Sequence, residues 1–333
     1  MAGSQGGGIV RRKDRVIPPT LRVPNPEGRE DDDLDDLPVA PATSEEEKEE
    51  LPDQLIARAE EQVYRILQRL PSESHADRRR GTSGDRDLRK TFGEVFDRRT
   101  MMILYKLMND GRIETLEYPI STGKEANVFV ASTAQGLIAV KIFRIATATF
   151  RRMLPYLDGD PRFGRVRRNR QALKRIFALK EYKNLQRAAG AGVRVPQPLW
   201  VSGHMLGMEL LGDDTSPAPQ LSDLRPSAAE GARLWGLVLE DVRRLVVRGG
   251  IVHGDLSPFN VLLHRDAPYL IDFAQGVVVD HPQALSFLIR DLEGLVKACT
   301  RFGIPLEPGA DARSWLEEAQ AAGPRRSRPT EQG

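Results

Sequence analysis

The segment His253-Gly254-Asp255-Leu256-Ser257-Pro258-Phe259-Asn260 follows the apolar pair Ile251-Val252, and a further acid, Asp272, closes the apolar run Leu270-Ile271. An Asn five residues after an Asp, with another Asp at a strand end, brings a proton acceptor and hard oxygen ligands. Phosphoryl transfer from a nucleotide needs that set: one carboxylate for the acceptor, and an amide with a carboxylate for magnesium. On this reading Asp255 is the catalytic carboxylate. Asn260 and Asp272 are ligands for Mg2+, with Mn2+ as a substitute. His253 reads as a residue that holds the loop by hydrogen bonding.

Three upstream stretches fit the same chemistry. Ala139-Val140-Lys141 puts a Lys at the end of an apolar strand, where its ammonium needs an anionic partner. Glu181, forty residues on in a helical stretch, can supply one and would stand with Lys141 at the nucleotide phosphates. Ser121-Thr122-Gly123-Lys124-Glu125-Ala126-Asn127 lies between two strands and offers backbone amides, the Ser121 hydroxyl and the Lys124 cation to phosphate. It is neither G-x-G-x-x-G nor a Walker A loop, and alone it is an ordinary hairpin turn. Met208-Glu209-Leu210 sits where a hinge between two lobes would present backbone groups to adenine. Lys141 and Glu181 taken singly also have plain readings, as a surface Lys and a solvated helix Glu; the downstream Asp and Asn pattern tips the balance.

The elements that must position these residues follow from periodicity. Residues 100–109 have helical spacing; 116–120, 128–131 and 137–143 read as strands; a helix runs from about 169 to 189 and stops at Gly190. Residues 193–201 and 205–211 are strand-like. Ser227 with Glu230 forms a capping box ahead of a helix that Gly249-Gly250 ends. Short buried strands are expected at 261–263 and 269–271, and helices at 282–299 and 312–322. Strands first and helices later imply an α+β fold.

Composition sets the surroundings. The chain has 333 residues, 40 % hydrophobic and 29 % charged, with a net charge of +2. Residues 1–50 hold basic and acidic blocks with few large apolar side chains, so burial cannot offset their ordering entropy, and a disordered tail is expected. Residues 51–90 read as an amphipathic helix (52–70) and a polar linker, 91–211 and 212–322 as two lobes, and 323–333 as a second tail. The lone Cys299 forms no internal disulfide, which points to a reducing cytoplasm. No apolar run is long enough to cross a bilayer, and no secretion signal precedes the fold. The basic stretch Arg151, Arg152, Arg165, Arg167, Arg168, Arg170, Lys174 and Arg175 offers cations to RNA phosphates or simply a solvated loop.

Together these motifs resemble the RIO family of atypical serine/threonine protein kinases, its first subfamily in particular. Ser121–Phe129 is similar to that family's STGKEANV loop, His253–Asn260 to its catalytic loop, and Ile271–Gln275 to its metal loop. Asp280-His281-Pro282, Phe287–Asp291 and the Gly159-Asp160-Pro161-Arg162-Phe163 stretch continue the match, over about residues 92–303. The resemblance implies a compact bilobal kinase fold without an activation loop or peptide-binding helices. It implies ATP as substrate, Lys141 on the phosphates, Asp255 as acid/base, Asn260 and Asp272 on Mg2+, and adenine near Met208–Leu210. It also implies that Asp272 can become phosphorylated. Protein substrates, autophosphorylation, ATPase action and small-ribosomal-subunit maturation on pre-ribosomal RNA are the implied roles. Pro258, Phe259, Phe273 and Ala274 depart from the common family residues. Two other functions compete: a small-molecule kinase of the aminoglycoside or choline type, which shares His-Gly-Asp with Asn five later, and a catalytically weak ribosome-binding scaffold.

Overall fold

The structure is a computed structural model that describes residues 96–123, 125–144, 152–163, 169–213 and 216–322. Lys124, the expected helix at 52–70, the linker, both tails and, from the basic stretch, Arg151, Arg165, Arg167 and Arg168 lie outside those residues. Asp97 starts α1 (Arg98–Asn109): its carboxylate accepts from Thr100 N at 2.8 Å and so satisfies an orphan helix donor. A meander follows, β1 (Thr115–Thr122), β2 (Ala126–Thr133) and β3 (Gly136–Phe143). Then come α2 (Arg170–Gly190), capped by Asn169, and the hairpin β4 (Pro198–Ser202) and β5 (Met205–Glu209). The five strands form one antiparallel sheet in the order β1-β2-β3-β5-β4.

Alternation along the strands separates the sheet's two faces. Phe129, Ala131, Ile138, Val140 and Ile142 pack with Met101, Leu104 and Leu107 of α1 in one core cluster. The other face carries Val128, Lys141 and Leu206 as register neighbours across three strands. A Lys on the interior side of a sheet must be paired; one partner, Glu181, comes from α2 and the other, Asp272, from the helical half.

That half begins with α3 (Ala228–Val247), whose N-cap Ser227 accepts from Glu230 N. Two short hairpin-like ladders follow: β6 (Ile251–Val252) pairs with β9 (Val277–Val278), and β7 (Val261–His264) with β8 (Ala267–Leu270). α4 (Ala284–Arg301) and α5 (Pro308–Ala321) end the described chain. Their apolar faces share a second core cluster with Leu206 and Phe143 of the sheet and Leu173 and Phe177 of α2. The fold is α+β, a sheet lobe and a helical lobe. The nested ladders place the β6–β7 and β8–β9 loops side by side, and Ile271 N donates to Asn260 O at 3.1 Å to tie them.

Several boundaries differ from the sequence reading: β5 ends at Glu209 rather than 211, and β8 spans Ala267–Leu270 rather than 269–271. Residues 193–197 are irregular and β4 starts only at Pro198; Pro196 lacks the N–H that a ladder needs, although Val193 and Val195 are buried. α4 starts at Ala284, after a turn closed by Ala284 N on His281 O. α5 starts earlier than 312, with Pro308 in its first turn, where a missing N–H costs nothing.

Candidate active site

The buried ammonium of Lys141 organises the site. Its Nζ donates to Glu181 Oε1 at 2.8 Å and to Asp272 Oδ1 at 2.9 Å. Glu181 Oε2 lies at 2.7 Å but without hydrogen-bond angles, so that contact is an ion pair alone. Burial works against the charge on Lys141, yet the Asp272 and Glu181 carboxylates raise its pKa and keep it protonated. Burial pushes Glu181 up, against the pull of Lys141. For Asp272, burial also pushes upward, but Lys141 wins and holds it below its usual range, with help from the Ala274 backbone N–H. Asp272 has φ +67°, a left-handed conformation that a non-glycine residue adopts at a cost. Its side chain is still 45 % exposed, unlike those of Lys141 (7 %) and Glu181 (1 %).

Asp255 and Asn260 flank this pair on the β6–β7 loop. Asn260 Nδ2 donates to Asp255 O at 2.8 Å, which closes the loop and leaves the amide oxygen as the remaining donor atom. Burial and then the nearby Asp272 charge raise the pKa of Asp255. Glu125, from the β1–β2 loop, is raised likewise by burial, Asp272 and Asp255. Four carboxylates thus crowd around one buried ammonium. That excess of negative charge, with an amide oxygen beside it, fits a divalent cation. Among the described residues no three His, Cys, Asp or Glu side chains form a metal cage. The donor set fits Mg2+ brought in with phosphate oxygens, since Mg2+ usually keeps waters and substrate ligands.

The other sequence candidates are placed as follows. Ser121 is exposed at the end of β1 and pairs in register with Val128, which pairs with Lys141. Met208 pairs with Ala139, so it shares Lys141's face of the sheet. Glu209 pairs with Ile138 on the opposite face, and its carboxylate accepts from Gln197 N at 3.2 Å. Leu210 follows β5 directly, whereas Lys124 lies outside the described residues. His253 is buried; its Nε2 donates to Ile271 O at 3.0 Å and its ring packs on Phe273.

Sequence reasoning gave no role to five supports, although three of them, Asp160, Arg162 and Asp291, lie in stretches that carry the family resemblance. Asp291 on α4 is buried and accepts from Gly254 N at 2.7 Å and Leu256 N at 2.9 Å, fixing both peptides around Asp255. Its signal was an acid on the apolar stripe Phe287, Leu288, Leu292, Leu295. The other four form a box under the metal loop. Lys180 Nζ donates to Asp160 Oδ2 at 3.1 Å and to Gly276 O, and Asn184 Nδ2 donates to Phe273 O and Gly276 O, both at 2.9 Å. Arg162 closes the box on Asp160 and Asn184.

Residues 127–311 match the RIO domain family. The chain belongs to the RIO family of serine/threonine-protein kinases. This RIO chain is 43 % identical over 220 residues to the RIO-type serine/threonine-protein kinase Rio1 of Haloferax volcanii, covering 66 % of this chain and 75 % of that relative. It is 39 % identical to the human serine/threonine-protein kinase RIO1 over 62 % of this chain and 37 % of the human protein. The chain therefore spans well under half of the human relative's length. A Rio2 kinase from Chaetomium thermophilum, solved as an ADP/Mg2+-phosphoaspartate complex, shares the fold with TM-score 0.52 at 20 % identity, over 82 % of this chain and 91 % of that one. Among the described residues no helix is long and apolar enough to cross a membrane.

Proposed function

We propose that this chain binds ATP with Mg2+ at the Lys141 face of the sheet and transfers the γ-phosphoryl group to a Ser or Thr hydroxyl, on a partner protein or on itself. The observation that supports this reading is one ammonium held between a closed carboxylate, Glu181, and an open, strained one, Asp272. Glu181 fixes the Lys141 side chain so that its Nζ meets the phosphates. Ser121, at the end of β1, and Lys124, three residues on in the sequence, are assigned to the phosphates, and Met208–Leu210 to adenine. Asn260 and Asp272 would hold Mg2+, which when bound offsets charge on the β- and γ-phosphate oxygens. Asp255 orients the acceptor hydroxyl and takes its proton as the acceptor O–P bond forms. The bond from γ-phosphorus to the bridging oxygen breaks, and ADP leaves with that electron pair.

A second acceptor is favoured by Asp272 itself. Its carboxylate is open and held anionic, so without a base it can attack the γ-phosphorus, and an acyl-phosphate forms as the bond to the bridging oxygen breaks and ADP leaves. Hydrolysis of the acyl-phosphate would make the chain an ATPase, a cycle suited to a switch on the small ribosomal subunit. With labelled ATP, a phosphoenzyme that hydroxylamine releases is expected in wild type and absent in Asp272→Asn. A label that resists hydroxylamine would remove this second reading. Crosslinking in cells should recover small-subunit RNA; recovery of none would remove the ribosomal role.

A further inference from the structure

The metal loop reaches across to the catalytic loop through one side chain. Gln275 Nε2 donates to Asp255 Oδ2 at 3.1 Å. A carboxylate only accepts, so the amide nitrogen must be the end that faces it. The backbone at Gln275 closes on the same place. Gly254 has φ +81°, and a Cβ there would lie 2.8 Å from Gln275 O. The two loops meet as closely as their backbones permit, and Gln275 is the residue at the meeting point.

Its own position is fixed from below. Gly276 N donates to Phe273 O at 3.0 Å, making a tight turn with Ala274 and Gln275 at its apex. Both outer carbonyls of that turn are bound to buried side chains, Phe273 O to Asn184, and Gly276 O to Asn184 and Lys180. A Cβ on Gly276 would come 2.8 Å from Asn184 Nδ2, so the turn is seated directly on the box. The apex therefore has little freedom, and the amide it carries is aimed at Asp255 before any ligand arrives.

We propose that Gln275 is a positioning residue for the phosphoryl-transfer step: it holds Oδ2 of Asp255, which leaves Oδ1 for the acceptor hydroxyl, and couples Asp255 to the loop that carries Asp272. The proposal rests on the reading of Asp255 as the proton acceptor. Gln275 acts through Asp255 and touches no part of the nucleotide, so its loss lowers kcat and spares nucleotide affinity.

The test uses the full chain, with γ-labelled ATP and its own phosphorylation or a generic protein acceptor as readout, and fluorescent ADP for binding. Gln275→Met keeps the volume and removes the donor; kcat is expected to fall about tenfold, the size of one hydrogen bond to a charged group. Gln275→Glu keeps the shape but sets carboxylate against carboxylate, so it is expected to lose more than Gln275→Met. A merely structural role predicts the reverse order. Asp255→Asn is measured alongside, and the double variant Asp255→Asn/Gln275→Met is expected to be no worse than Asp255→Asn alone. Wild-type kcat in Gln275→Met, a Glu variant milder than the Met variant, a weakened ADP affinity or a further tenfold drop in the double variant would each overturn the proposal. If Asp255→Asn itself retains full activity, the underlying reading of Asp255 fails instead, and the two failures are told apart.

Discussion

Lys141 and Lys180 are both buried, both reach across the fold and both meet an aspartate, yet their surroundings differ. Lys180 and Asp160 are each 0 % exposed; Arg162 completes the bonding of Asp160, Gly276 O that of Lys180, and Asn184 ties Arg162 to the metal-loop turn. Lys141 meets two carboxylates, and one of them, Asp272, is 45 % exposed and held at φ +67°. The Lys180 cluster is closed and brings two basic side chains to one carboxylate, their remaining donors resting on Gly276 O and the Asn184 amide oxygen. The Lys141 cluster is open and over-supplied with acid. A closed ion pair can only hold structure, whereas an open one with surplus charge of one sign is unfinished until a ligand of the other sign arrives. Adjacent positions on one helix, Lys180 and Glu181, serve the two ends of this contrast.

Separate substitutions should break the two regions in different ways. Lys141→Met is expected to lower phosphoryl transfer by about 10²-fold or more, because the phosphates lose their fixed cation. It also leaves the buried Glu181 carboxylate without its cation, so a stability cost of the size of that at Lys180 is expected by urea unfolding, and the transfer loss is read per folded molecule. Lys180→Met and Asp160→Asn each strand a buried charge and are expected to cost about 3 kcal/mol, at the low end for such pairs because Arg162 and the carbonyls remain. Nucleotide affinity per folded molecule should change little in either. An Asp160→Asn variant that is as stable as wild type would erase the distinction.

A smaller effect separates the regions by pH. Burial pushes Asp160 upward, but Arg162 and Lys180 outweigh it and bring its pKa to about 2 from the ordinary 3.8. The folded chain thus binds this proton more weakly than the unfolded chain. The resulting stability is complete above pH 3.8 and disappears as pH falls through about 2, a contribution of about 2 kcal/mol. Stability measured between about pH 4 and pH 2 should therefore fall less steeply in Asp160→Asn than in wild type. Equal slopes would show that the box is not the charged cluster described here.

The open region was far more legible in the sequence than the closed one. Lys141, Asp255, Asn260 and Asp272 stand at the ends of apolar runs, where an ionisable residue is conspicuous, and their mutual spacing matches a known chemistry. The strands that carry them follow from alternation and the helices from spacing and caps. Lys180 and Asn184 lie on a 21-residue helix buried on several sides, so no apolar stripe marks them as interior. Asp160 sits in a loop among Gly and Pro, and only the fold shows that it lies under the metal loop. The pairing of β6 with β9, two residues long, was too short to read, although it is what brings Asp255 beside Asp272.

The most direct test of the account is phosphoryl transfer from γ-labelled ATP by Asp255→Ala and Asp272→Ala, with ADP binding followed in the same samples. The account predicts that both variants lose transfer, by about 10²-fold or more for Asp255→Ala, while ADP still binds. Full transfer by both variants would contradict it.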